Sequence, residues 1–203
     1  MDALAHVLGA RVPAEPGTPF LTFYDDATGE RTELSYATAD NWVAKTANLL
    51  VDGLGVAPGD AVAVLLPPHW QAVVVTLAVW AAGCVLADDG GVAFVAEDRL
   101  PLAGRDEVVA LSLRPFAGPL SRPYPGVLDY AEEVPVHGDR FPPRGPATTP
   151  PHAPDPRRVL VAGTDPVPFA LAALAGGGGL VLCRNADPAA LARRAEVERA
   201  VMP

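Results

Sequence analysis

The sequence predicts an α/β fold with a mainly parallel, layered sheet flanked by helices. Three observations predict it. Residues 61–66 are apolar without alternation, as in a strand covered on both faces by helices. A largely apolar helical run, Gly83 and another short apolar strand follow, which completes a strand–helix–strand unit with the expected right-handed crossover. The same order of elements recurs after residue 157.

In chain order, residues 3–10 read as a short apolar helix ended by Gly9 or Pro13. Residues 18–24 carry Phe20, Leu21, Phe23 and Tyr24 and read as a strand. The turn residues of 25–30 then allow 31–34 to return as the second strand of a hairpin. Ser35 is an N-cap, and the next helix places Ala39, Trp42, Val43, Ala47 and Leu50 at helical spacing. Gly53 and Gly55 stop it, and Pro58-Gly59-Asp60 forms a turn. Residues 68–82 are apolar around most of a helical circumference, which predicts a buried helix. Strands are expected at 84–87, 92–96 and 108–113.

From 114 to 156 Pro and Gly interrupt every few residues, with one ordered insertion expected at 127–136. Residues 140–156 read as an extended, polyproline-like connector between blocks 1–139 and 157–203 of a single domain spanning 1–203. A strand at 158–162 leads to Asp165 as N-cap, Pro166 at the first helical position and a helix to Ala175. Residues 176–179 form a turn, 180–183 a strand and 189–201 a last helix, started by Asp187-Pro188.

Composition narrows the function. Half of the 203 residues are hydrophobic and the net charge is −9, which disfavours a phosphate-binding surface for nucleic acid. Fourteen arginines stand against one lysine, Lys45. The two cysteines, Cys84 and Cys183, lie in apolar runs without metal-ligand spacing and read as buried thiols. The start Met1-Asp2-Ala3 has no basic leader, and the longest apolar run, 72–87, is too short to span a bilayer. A soluble, cytoplasmic chain without membrane contact is expected.

The motifs carry a resemblance. Thr22 to Ser35-Tyr36, a helix, then Gly55-Val56-x-Pro58-Gly59-Asp60-x-Val62-Ala63-Val64 and a helix ending Ala81-Ala82-Gly83-Cys84-Val85 resemble the N-terminal subdomain of adenylate-forming enzymes. That superfamily, with its AMP-binding fold, holds the acyl-CoA synthetases, luciferases and peptide-synthetase adenylation domains. Gly177-x-x-x-Val181-Leu182 and Asp187-Pro188 before a helix with Glu198 resemble the segment after the family's phosphate loop. The whole resembles a trimmed form of that subdomain, of a kind found in small high-GC bacterial proteins.

The departures are as informative. The family's Ser/Thr/Gly-rich phosphate loop, ending Pro-Lys-Gly, should fall between the blocks. Residues 140–156 hold Thr148-Thr149 there, with no Gly cluster and no Lys. The family's downstream ribose-binding region and C-terminal lid find no counterpart, and Lys45 matches neither family lysine. Adenylation needs cations and N–H groups around a triphosphate. The resemblance therefore implies a non-catalytic, pseudoenzyme-like chain, without catalytic residues, metal or cofactor. It would bind a protein partner, a second copy of itself, or a small acyl or aromatic ligand. The alternatives are a residual enzyme and a subunit completed by another chain.

Four residues are candidates for ligand contact. His69 and Trp70 follow a parallel strand, where α/β folds bind ligands, although a solvent-facing His and a packed Trp are the favoured reading. Thr164 and Asp165 occupy a strand-to-helix turn of the right polarity for an anion, but an Asp165 cap would use those N–H groups itself. The glycines at 176–179 follow a helix and open a strand, the wrong polarity for a phosphate loop. His137 and Asp139 could pair as acid and base, but no nucleophile accompanies them, and a surface turn is favoured.

Overall fold

The computed structural model describes residues 2–9, 12–102, 106–142 and 144–203. Helix α1 is Asp2–Leu8 (the expected end at Ala10 lies outside the described residues). The hairpin forms from β1, Pro19–Asp25, and β2, Glu30–Ser35. Helix α2, Tyr36–Asn48, starts where Ser35 Oγ accepts the Thr38 N–H at 3.1 Å. It runs on into a π-helical turn, Leu49–Gly53, before Gly55 reverses the chain at a φ of 69°. The unit β3 (Ala61–Leu65), α3 (Trp70–Ala81) and β4 (Val85–Leu86) is strand–helix–strand with β3 and β4 parallel. Strands β5 (Val92–Ala96) and β6 (Glu107–Leu111) follow. The insertion is β7 (Val127–Asp129) and a short α4 (Tyr130–Glu133). The second block supplies β8 (Arg158–Ala162), α5 (Val167–Gly176), β9 (Gly179–Arg184) and α6 (Pro188–Glu198).

The strands divide into two sheets, ordered β2-β1-β9-β8 and β4-β3-β5-β6-β7. Every pairing is parallel except the β1–β2 hairpin. The pairing of β1 with β9 brings residue Leu21 beside Leu180 and so closes the chain's two blocks onto one sheet. Helix α3 lies between the layers with almost every residue buried, which accounts for its apolar circumference. One cluster of buried side chains runs from Ala3 and Phe20 through Val43, Leu77 and Phe94 to Leu171 and Leu182, so both blocks share it.

Residues 140–156 are extended but tied down, not a free linker. The Phe141 side chain is buried, Thr148 N–H donates to Val7 O at 2.7 Å and Asp155 N–H donates to Ala172 O at 2.9 Å. The strap crosses α1 and α5 so closely that a Cβ on Gly176 would stand 2.3 Å from the Asp155 carbonyl carbon. The glycine run at 176–179 thus turns the chain and also lets the strap pass. Lys45, the single lysine, pins the insertion: its Nζ donates to His137 O at 2.6 Å and pairs with Asp139 at 2.7 Å. His137 and Asp139 serve that turn.

Candidate ligand cavity at the carboxyl ends of the strands

A cavity of about 560 Å³ opens where β3, β4 and β8 end. Parallel α/β sheets bind ligands at this edge because the chain leaves the sheet there and helices splay apart. One wall is α3, whose Ala72, Thr76 and Trp80 recur every four residues on one face. Val64 and Leu66 of the β3 end and Leu86 of β4 add apolar surface. Facing them are Val167 and Leu171 of α5. The strap closes the rest with Thr148, Thr149 and Pro151. Two carboxylates, Asp88 and Asp165, stand at the exposed rim, and no Lys, Arg or His is among the described lining residues.

The four sequence candidates separate. Asp165 lines the cavity, and its Oδ1 accepts the Val167 N–H at 3.0 Å, so it caps the turn before α5. Thr164 is exposed beside it and is not in the lining. His69 and Trp70 are buried, at 0% and 2% exposure, and face the core instead. Trp70 meets Trp42 edge-on at 5.5 Å between ring centroids. The expectation of a solvent-facing His69 is corrected: it is the N-cap of α3, with Nδ1 accepting the Gln71 N–H at 3.2 Å and the ring against Phe23. Burial, helped by the Arg184 charge, pushes its pKa down to about 3. The ring is therefore neutral, and the 4.0 Å approach of Nε2 to the Glu30 carboxylate is not an ion pair. Packing decided these positions, and no local residue pattern marks them.

Sequence reasoning missed the wall made by Thr148, Thr149 and Pro151. The two threonines stand where a phosphate loop was expected, which was the available signal, but their position over α3 depends on the strap's contacts with α1 and α5.

Comparison with known proteins bears on the family and the fold. A Mycobacterium tuberculosis protein named TIGR03089 family protein is 39% identical over 235 aligned residues, covering 95% of this chain and 94% of the relative. The chain belongs to the TIGR03089 family. The AMP-binding enzyme family matches residues 9–87 of this TIGR03089 chain, the stretch that ends at β4. In fold it is similar to a Brucella canis acyl-CoA synthetase, with a TM-score of 0.75 at 16% identity, covering 100% of this chain and 47% of the synthetase. It is also similar to the acetoacetyl-CoA synthetase of Streptomyces lividans, with a TM-score of 0.68 at 20% identity, covering 98% of this chain and 41% of that enzyme. The TIGR03089 chain thus has the layered α/β fold of part of an adenylate-forming enzyme and spans less than half the length of either synthetase.

Proposed function

We propose that this chain is a non-catalytic relative of the adenylate-forming enzymes that holds a small acyl or aromatic ligand in the cavity between α3, α5 and the strap. The observation that carries the reading is the charge of the lining: apolar walls, two carboxylates and no cation among the described residues. An apolar ligand gains by leaving water for such walls. A triphosphate there would find no cation among the described lining residues to offset its charge, and the Asp165 carboxylate at the rim would repel it. The segment that would have to cradle the phosphates contributes Thr148 and Thr149 but no glycine cluster and no lysine.

A thermal-shift series with ATP, CoA, acyl-CoA, acyl-AMP analogues and uncharged acyl amides tests the reading, since a ligand that binds the folded state raises Tm with occupancy. Acyl amides raise Tm saturably and ATP does not. Acid-dependent ATP–pyrophosphate exchange by the pure chain overturns the non-catalytic assignment.

One observation favours a second reading, completion by a partner chain or a second copy. Strand β4 is a sheet edge, and its two residues, Val85 and Leu86, are 49% and 42% exposed. Bare edges invite an added strand. Recovery from its native cell as a free monomer alone counts against this. Cys84 and Cys183 are buried free thiols, which suits a reducing cytoplasm. No helix among the described residues is long and apolar enough to cross a membrane.

A further inference from the structure

A second cleft, of about 670 Å³, shares no lining residue with the first. It opens at the carboxyl ends of β1 and β9 in one sheet and of β5 and β6 in the other, marked by Asp25, Arg184, Glu97 and Ser112. Its character is polar where the first is apolar.

The hydrogen-bonding groups of this cleft are unevenly spent. Asp25 Oδ1 already accepts the Ala27 N–H at 3.0 Å and the Asn185 side-chain amide at 2.8 Å. Glu97 Oε1 accepts the Ser121 N–H at 2.7 Å, the Tyr124 hydroxyl at 3.1 Å and the Ser121 hydroxyl. Among the described residues, Asp98, exposed at the rim, is the cleft's one carboxylate without such partners. The cations are not used in the same way. Arg184 Nε forms a long ion pair with Asp25 Oδ2 at 3.9 Å without a hydrogen bond, and Arg114, whose charge helps to hold the Glu97 pKa down, has no ion pair within 4 Å among the described residues. Arg114 and Arg184 thus both line the cleft with guanidinium N–H donors that are not spent on hydrogen bonds among the described residues, and such donors suit an oxyanion.

The backbone around them is held in an uncommon form. Leu113, Phe116 and Ala117 have φ of 54°, 60° and 51°, and Asn185 has 48°. Side chains rarely adopt this left-handed region, which costs about 1–3 kcal/mol at a residue that tolerates it poorly. Arg114 lies inside this strained loop and Arg184 directly before Asn185. The Ser112 hydroxyl braces the loop by donating to Gly118 O at 2.5 Å. The loop thus fixes the backbone from which the exposed Arg114 side chain extends, which lowers part of the ordering cost of binding.

We infer that this cleft binds a small oxyanion, the carboxylate or phosphate group of a ligand, between the guanidinium groups of Arg114 and Arg184. The chain's charge of −9 works against anions at long range, so recognition rests on short-range contacts.

The test titrates the intact, ¹⁵N-labelled chain with sodium phosphate and, separately, with sodium acetate at constant ionic strength. The readout is the arginine Nε–Hε signals. Saturable shifts of the Arg114 and Arg184 signals are expected, and each of R114Q and R184Q weakens binding about tenfold. Tighter phosphate binding identifies a phosphoryl group as the ligand's anion, and tighter acetate binding a carboxylate. Arg193, exposed on α6, provides the control, and R193Q leaves binding unchanged. Arg114 is exposed, so R114Q reads the site even where R184Q perturbs the fold. Lack of saturation with both anions overturns the inference, as does equal weakening by R193Q.

Discussion

The Tyr36 hydroxyl donates to the carbonyl oxygen of Gly178 at 2.7 Å, and the Ala173 carbonyl lies 3.1 Å away. This bond joins the first residue of α2 to the turn between α5 and β9, across 142 residues of sequence. Tyr36 is fully buried, and burial raises its pKa well above the usual phenol range, so it remains a neutral donor. Y36F keeps the ring and removes the proton, which leaves a buried carbonyl without its donor. The expected loss is about 1–3 kcal/mol in urea unfolding. An unchanged midpoint would show that this bond does not contribute to stability.

Much of the fold was readable locally. The helix after Ser35, the apolar strand of 61–65, the buried α3 and the proline starts of the last two helices all follow from caps and periodicity over a few residues. The division into two sheets was not readable. Parallel partners such as β1 and β9 lie over 150 residues apart, and each is a short, mostly apolar run that would pair as well with another. The site fared similarly. Asp165 could be placed because capping is local, but His69 went into the core and Thr148 and Thr149 into a cavity wall through contacts made elsewhere in the chain.

The strap that forms this wall passes Gly83 with no room for a side chain. A Cβ on Gly145 would lie 2.6 Å from the Gly83 Cα, and Gly145 has a φ of 80°. G145A is expected to cost about 1–3 kcal/mol by combining that clash with left-handed backbone strain. It should also reduce ligand-induced stabilisation, since Thr148 and Thr149 of the cavity wall lie three and four residues further on. Gly17, with no atom within 4 Å of its Cβ position, serves as the control, and G17A leaves the midpoint unchanged. Equal midpoints for G145A and G17A would refute the close-passage account.

Trp80 offers an optical readout of the first cavity. Of the three tryptophans it alone lines the cavity, while Trp42 and Trp70 pack against each other. An acyl amide that raises Tm should also change the emission intensity. W80F removes the emission change but keeps the Tm shift, whereas W42F keeps both. If W80F retains the full emission response, the ligand sits elsewhere.

Burial of neutral His69 links stability to pH. Its pKa is about 3 in the fold, where burial disfavours the charge and Arg184 adds to the effect, against about 6.5 in an unfolded chain. Between those values the unfolded chain binds one more proton than the folded one. Stability therefore rises with pH across this window, and acidification from about pH 6.5 toward 3 removes it, at up to about 1.4 kcal/mol per pH unit from this residue. H69N keeps an acceptor for the Gln71 N–H, because Asn is a good N-cap, and no longer titrates. Urea unfolding at about pH 6, 5 and 4 should give a flatter stability curve for H69N than for the natural chain, whatever its offset. Parallel curves would mean that His69 accepts a proton in the folded state, and the neutral assignment would fall.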